Sequence, residues 1–274
     1  MKELLYIIRK LTLIILIVSG MQACSTDLQE AGDVSVRFVA TLPTEPGTRS
    51  FGDAGQINTL VVGIFDDRKN EIERNIFTVN GISSDIELTL AKNQTYNIVF
   101  WAYDSTQNIY NIDDLSAIRM NGWSDKMTFA QAESADAFYA SIENLVVTGD
   151  RHHRIEMVRP LVQINVGTTG DALQTSVTVK KVPDTFYPFK DTVSSGTAAY
   201  TWNFSDTTDE KLSVDDVEYN YLAMGYVFAP ATVTQIAAEI SLTNDKQMTK
   251  TFELQHIKVK ANNRSNIVGR FIIE

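Results

Sequence analysis

Val34, Val36, Phe38 and Ala40 alternate with Asp33, Ser35, Arg37 and Val39. A period of two predicts a strand with one face in a core and the other in water. Ile86, Leu88 and Leu90 alternate in the same way with Glu87 and Thr89. Residues 57–65 are instead almost wholly apolar and β-branched, the pattern of a central strand covered on both faces. The polar run Asp66-Asp67-Arg68-Lys69-Asn70 follows, and apolar residues return over 72–79, which predicts a hairpin. Residues 96–103, holding Val99, Phe100 and Trp101, predict a further strand after a turn at Lys92-Asn93.

Strand patterns continue at 138–147 and 154–159. They resume at 161–166, 176–182, 199–204, 221–228, 236–242, 249–254 and 265–273. Residues 108–135 carry no clear period, and a short helix is expected there at 112–120. The linker over 43–52 contains Pro43, Pro46, Gly47 and Gly52, which deny it regular structure. Pro160 interrupts the strand pattern, and a proline in a sheet belongs at an edge or at a strand's first residue. The domain boundary is placed there. Short strands with turn signals every eight to twelve residues predict β-sandwiches. The expected fold class is all-β: two tandem β-sandwich domains, residues 33–159 and 160–274, with a short helical insertion.

The start of the chain reads differently. Lys2, Arg9 and Lys10 make a basic beginning, 11–18 is a nearly unbroken apolar run, and small residues precede Cys24. This is the form of a secretory signal, assigned to residues 1–23, and its apolar run is too short to span a bilayer comfortably. Ala23-Cys24 resembles a bacterial lipobox, in which the cysteine is lipidated and becomes the mature N-terminus. Met21 and Gln22 depart from the usual residues, and a plain signal peptide with an incidental cysteine is the alternative. Cys24 is the only cysteine, so no disulfide forms within the chain and the fold must rest on its core. Residues 24–32 form a polar tether. Asp27 and Glu30 resemble the acidic signal that sends Bacteroidetes lipoproteins to the cell exterior. The expected location is the outer membrane, lipid-anchored at Cys24 and facing outward.

Charge narrows the partners. The chain carries −10 overall, and removing Lys2, Arg9 and Lys10 with Glu3 takes the mature chain to about −12. Such a chain is repelled by phosphate backbones, so no nucleic-acid partner is expected. At 44% hydrophobic residues it has enough apolar surface for a core and is not disordered.

Catalytic chemistry is scarce. The three histidines are His152, His153 and His256. The first two are read as lying in a polar turn, and as neighbours they point to opposite faces, a poor grip for a metal. No nucleophile elbow, phosphate-binding glycine loop or His-Glu-x-x-His motif is present. The doublets Asp66-Asp67, Asp113-Asp114 and Asp215-Asp216 lack calcium-loop spacing and read as solvated turns. No metal, cofactor or enzymatic activity is expected. Of the tryptophans, Trp101 reads as core, whereas Trp123, within Asn121-Gly122-Trp123-Ser124, is the candidate ligand-binding residue. Packing beneath a loop is its competing role.

Taken together, a lipobox, a first strand, a loop with Thr48-Arg49-Ser50 and a junction at Arg159-Pro160-Leu161-Val162 resemble the fimbrillin superfamily of Bacteroidales. This group comprises the type V pilins and related surface lipoproteins. The tail Asn262-Asn263-Arg264-Ser265-Asn266-Ile267-Val268-Gly269 resembles the closing segment of many of its members. The resemblance implies two transthyretin-like β-sandwiches. It also implies assembly by strand addition, in which an arginine-specific protease cuts after the first strand and a strand of another subunit fills the groove left behind. On this chain the displaced strand is Val34, Val36, Phe38 and Ala40, and Arg49 is the candidate cleavage site; an ordinary loop arginine is the alternative. Expected partners are other fimbrial subunits or further copies of the chain, with surface glycans or proteins as the alternative for a stand-alone binding lipoprotein. Shaft pilins carry a donor strand beyond their last sheet strand, whereas Ile273-Glu274 is read as part of the final strand, which favours a tip, anchor or stand-alone role.

Overall fold

A computed structural model describes residues 32–43, 52–123, 126–171, 174–271 and 273. Cys24 and Arg49 lie outside the described residues. The first strands are β1 (Asp33–Thr41), β2 (Thr59–Phe65), β3 (Glu71–Thr78), β4 (Ser83–Ala91), β5 (Thr95–Tyr103), β6 (Tyr110–Asn111) and β7 (Ile118–Met120). Helix α1 (Phe129–Glu133), β8 (Ala137–Val146) and β9 (Arg151–Glu156) follow. Next come β10 (Leu161–Thr168), β11 (Gln174–Val182), β12 (Thr185–Tyr187), β13 (Thr192–Val193) and β14 (Ala198–Phe204). The chain continues through β15 (Lys211–Val214), β16 (Val217–Phe228), β17 (Thr234–Thr243), β18 (Thr249–Val259) and β19 (Arg264–Gly269). The fold is all-β, as the periodicity predicted.

Before Arg159 the strands form two sheets, ordered β4-β1-β9 and β3-β2-β5-β8. After Pro160 they form two more, β15-β16-β10-β19 and β14-β11-β17-β18. The two pairs of sheets repeat one wiring. β1 runs antiparallel to β4 and parallel to β9, and β10 runs antiparallel to β16 and parallel to β19. The order β3-β2-β5-β8 recurs as β14-β11-β17-β18.

The sheet β3-β2-β5-β8 is a middle layer. Leu60, Val62, Ile64, Ile98 and Phe100 face a core shared with Val36, Phe38, Ile86 and Leu88 of the β4-β1-β9 sheet. The intervening Val61, Phe65, Val99 and Trp101 face a second core that runs on into the C-terminal sheets. Burial on both faces explains the unbroken apolar runs of β2 and β5. The Asp66 turn closes the first hairpin because its carboxylate accepts from the backbone N–H groups of Arg68 (2.9 Å) and Asn70 (2.8 Å), as turn aspartates do.

The aperiodic stretch and its counterpart after Val182 supply a bridge that periodicity did not reveal. β6 and β7 pair with each other, β7 pairs with β12, and β12 with β13, giving one small sheet from both halves of the chain. The helix expected at 112–120 is not formed. That segment contains turns at Asp113 and Asp114, whose neighbourhood is held by Asx-type bonds such as Ser116 N–H to Asp114 (2.8 Å), and then strand β7. The helix sits at α1 instead, where Thr128 and Gln131 form a reciprocal capping box. The final strand also ends earlier than expected, at Gly269. Beyond it Phe271 packs edge-on against Phe252 at 5.2 Å.

Candidate functional site

β1 is the first described strand, yet it occupies the middle of its sheet. Val36 pairs with Leu88 and Arg151, and Phe38 with Ile86 and His153. Val36, Phe38 and Ala40 are buried in the N-terminal core, and Val34 packs on it half-buried. The alternate residues face water: Arg37 reaches Glu87 at 3.7 Å across an exposed pair, and Ser35 Oγ donates to the same carboxylate. The four sequence candidates of the displaced strand therefore share one inward face. Fully burying side chains the size of Val36 and Phe38 is worth about 1.5–3 kcal/mol each.

His152 and His153 lie within β9 and not in a turn, so that reading is corrected. Pairing with β1 extends the strand through them. The His153 ring stacks on Phe38 at 5.2 Å, and its Nε2 is buried without a hydrogen-bond partner. Burial and, secondarily, Arg151 hold its pKa below the usual histidine range. Among the described residues no group of three or more His, Cys, Asp or Glu is placed to hold a metal ion.

Gly52, ahead of β2, lies in a buried polar junction. The Gly52 N–H donates to Glu133 Oε1 at 2.5 Å, and its carbonyl accepts from Arg159 Nη2 at 2.9 Å. Arg159 also forks onto Asp136 at 2.6 and 2.7 Å, a bidentate geometry that guanidinium and carboxylate favour. Its guanidinium lies over the rings of Phe138 and Tyr226. Tyr226 Oη donates to the second oxygen of Glu133 at 3.2 Å. Burial, then repulsion from Asp136 and Asp53, pushes the Glu133 pKa up to about 7 against the hydrogen bonds from Gly52 and Tyr226. Gly52 has φ +85°, and a Cβ there would lie 2.8 Å from Arg264 Nη2 and 2.9 Å from Gln163 Oε1. Only glycine fits this position.

Beside the polar junction the halves meet in an aromatic cluster. Phe228 of β16 lies 6.5 Å from Trp101, 6.0 Å from Tyr110 and 5.9 Å from Phe186, and Tyr139 meets Phe186 at 4.4 Å. Trp101 is thus core, as read.

Trp123 stands apart from this junction. It is half-buried, with its ring edge-on to Trp202 at 5.7 Å. It lines a cleft of about 350 Å³ with Gln107, Asn108, Asn121 and Gln131. Its Nε1 is shielded from solvent without a partner, so the ring face and the surrounding amides are the groups available to a ligand.

The sequence reading missed Gly52, Glu133, Asp136 and Tyr226 as a group and noted Arg159 only as part of the junction. One local signal was present: Thr128-Phe129-Ala130-Gln131 is a capping-box pattern that announces α1. Nothing local pairs Asp136 with Arg159.

The fold is shared with solved structures of Bacteroidales proteins. A protein of Bacteroides thetaiotaomicron provisionally described as polysaccharide-binding superposes with TM-score 0.52 at 13% identity, over 89% of this chain and 92% of its own. A second from that organism, provisionally described as an adhesin, has TM-score 0.50 at 10% identity, over 84% and 81%. The tip fimbrial protein Mfa3 of Porphyromonas gingivalis aligns over 88% and 96% with TM-score 0.47 at 10% identity. No curated protein matches in sequence. The chain belongs to the Family of unknown function (DUF6562), which matches residues 28–274.

Proposed function

We propose that this chain is a cell-surface fimbrial tip, anchor or other subunit, lipid-anchored at Cys24, that joins partner subunits or its own copies by β-strand addition. The observation that carries this reading is the placement of β1. It is the first described strand, lies mid-sheet between β4 and β9, and is followed eight residues later by Arg49. A cut at Arg49 would free β1 from the rest of the sandwich. Its departure would uncover Ile86 and Leu88 and leave two unpaired strand edges, a groove that a foreign strand with alternating apolar residues fills. The prolines and glycines of the linker suit it to a protease.

Treating the mature protein with an arginine-specific protease tests this. Mass spectrometry should show a new N-terminus at Ser50, and size-exclusion chromatography should show oligomers. An intact monomer with an unchanged melting temperature would overturn the reading. The same mass measurement on protein from cells reports the lipid at Cys24.

A second reading is supported by the cleft at Trp123, whose carboxamides match the hydroxyls of a neutral glycan and whose indole offers a face for a sugar ring. It predicts that Trp123→Ala abolishes glycan capture on an array while leaving the circular dichroism unchanged. Absence of any captured glycan by the unaltered protein counts against it.

A further inference from the structure

We propose that Glu133 and Arg159 clamp the Gly52 peptide and make it the point where a releasable first strand ends and the permanently docked chain begins. This rests on the strand-release reading above and adds to it a boundary set by named residues. The described end of the β1 segment belongs to the first sandwich: Leu42 N–H donates to the Ile82 carbonyl at 2.8 Å, and Leu42 is buried in the N-terminal core. At Gly52 both backbone groups are instead taken by side chains of the junction. Glu133 closes α1, Arg159 immediately precedes Pro160 and β10, and Tyr226 belongs to β16. The hydrogen bonds and ring contacts described for Glu133, Arg159 and Tyr226 go to Gly52, Asp136, Phe138 and one another, and not to β1. The clamp is also stiff. Arg159 is fixed by its fork onto Asp136, Glu133 by Tyr226, and the space a side chain would need at residue 52 is occupied by Arg264 and Gln163.

The geometry separates two local openings that a single cooperative sandwich would merge. Loosening β1 should leave Gly52 protected, and loosening the clamp should leave β1 protected. Opening the clamp returns Glu133 to water, so the charge on its carboxylate couples to that step. Glu133 is faced by the carboxylates of Asp136 and Asp53, by the neutral Tyr226 hydroxyl that donates to it, and by the Arg159 guanidinium; Arg264 acts on Asp136 and Tyr226 beside it. Because burial favours its protonated form, opening should become easier as pH rises from about 5 to 8.

Amide hydrogen exchange on the full mature chain tests the boundary. Val36→Ala should speed exchange of β1 and β4 amides by at least about tenfold and that of Gly52 by less than about twofold. Glu133→Ala should do the reverse. Glu133→Gln, which keeps an acceptor oxygen and the side-chain volume, should retain protection at Gly52 and remove its pH dependence after correction for intrinsic rates. A Gly52 amide that exchanges freely in the unaltered protein, or that follows Val36→Ala, overturns the clamp. Failure of a protease to cut at Arg49 is a separate result: it removes the strand-release reading and leaves the exchange pattern to decide the boundary.

Discussion

The first strands of the two sandwiches, β1 and β10, occupy equivalent places and meet opposite surroundings. Each lies mid-sheet, antiparallel to one neighbour and parallel to the other. Along β1 the exposed Arg37 alternates with the buried Val36 and Phe38, whereas every residue of β10 is buried. The outward side of β1 meets water. That of β10 meets the junction, where Gln163 and Tyr226 face the polar cluster and Leu161 and Phe228 the aromatic one. Extracting β1 therefore uncovers one core from one side. Extracting β10 would dismantle the second core and the contact between the halves. A shared topology does not confer a shared capacity to exchange; what covers the strand's second face decides it.

The sharpest way to break this contrast is a disruptive substitution on each inner face. Ile164→Asp places an unpaired carboxylate on β10 at a site closed to solvent and should cost more than about 5 kcal/mol. The expected outcome is loss of the folded protein by circular dichroism. Phe38→Ala in β1 removes a fully buried ring, with an expected cost of about 3–5 kcal/mol. That loss should appear in the N-terminal sandwich, as faster exchange at β4, with β16 and β17 unaffected.

A smaller effect comes from the junction. The folded pKa of Glu133, about 7, exceeds the ordinary carboxyl value, so the folded state binds its proton more tightly. The resulting stability is fully present below about pH 4.5 and is lost as pH rises through about 7, by about 3 kcal/mol in all. His153 acts in the opposite direction. Its pKa is lowered by burial, so the stability it carries is present above the unfolded histidine value and is lost as pH falls through its folded pKa. Subtracting the denaturation profile of Glu133→Gln from that of the unaltered protein isolates the first effect. A difference that does not change between pH 5 and 8 would show that Glu133 does not titrate in place. The smallest change is expected from Arg37→Ala, on the open face of β1. Its exposed pair with Glu87 should leave the melting temperature unchanged within error, whereas a marked drop would mean that this face is covered and the contrast with β10 is overstated.

Most strands were legible because a half-buried or doubly buried strand writes its burial into the local order of apolar residues. Val34 to Ala40, the apolar run of β2 and the Asp66 turn each reflect forces acting within a few positions. The short strands β6, β7, β12 and β13 were not legible, since two or three residues carry no period and their pairing joins segments far apart in sequence. The misplaced helix has the same origin: 112–120 has no period to place a helix, and α1 is announced only by the capping box at Thr128. Chain order by itself therefore determined the all-β character and the inward face of β1. Tertiary structure alone decided that the two halves repeat one wiring, that one first strand is open and the other enclosed, and that Glu133, Asp136 and Arg159 converge on Gly52. Burial and charge pairing at that junction depend on residues more than twenty positions apart, and no local pattern encodes such a distance.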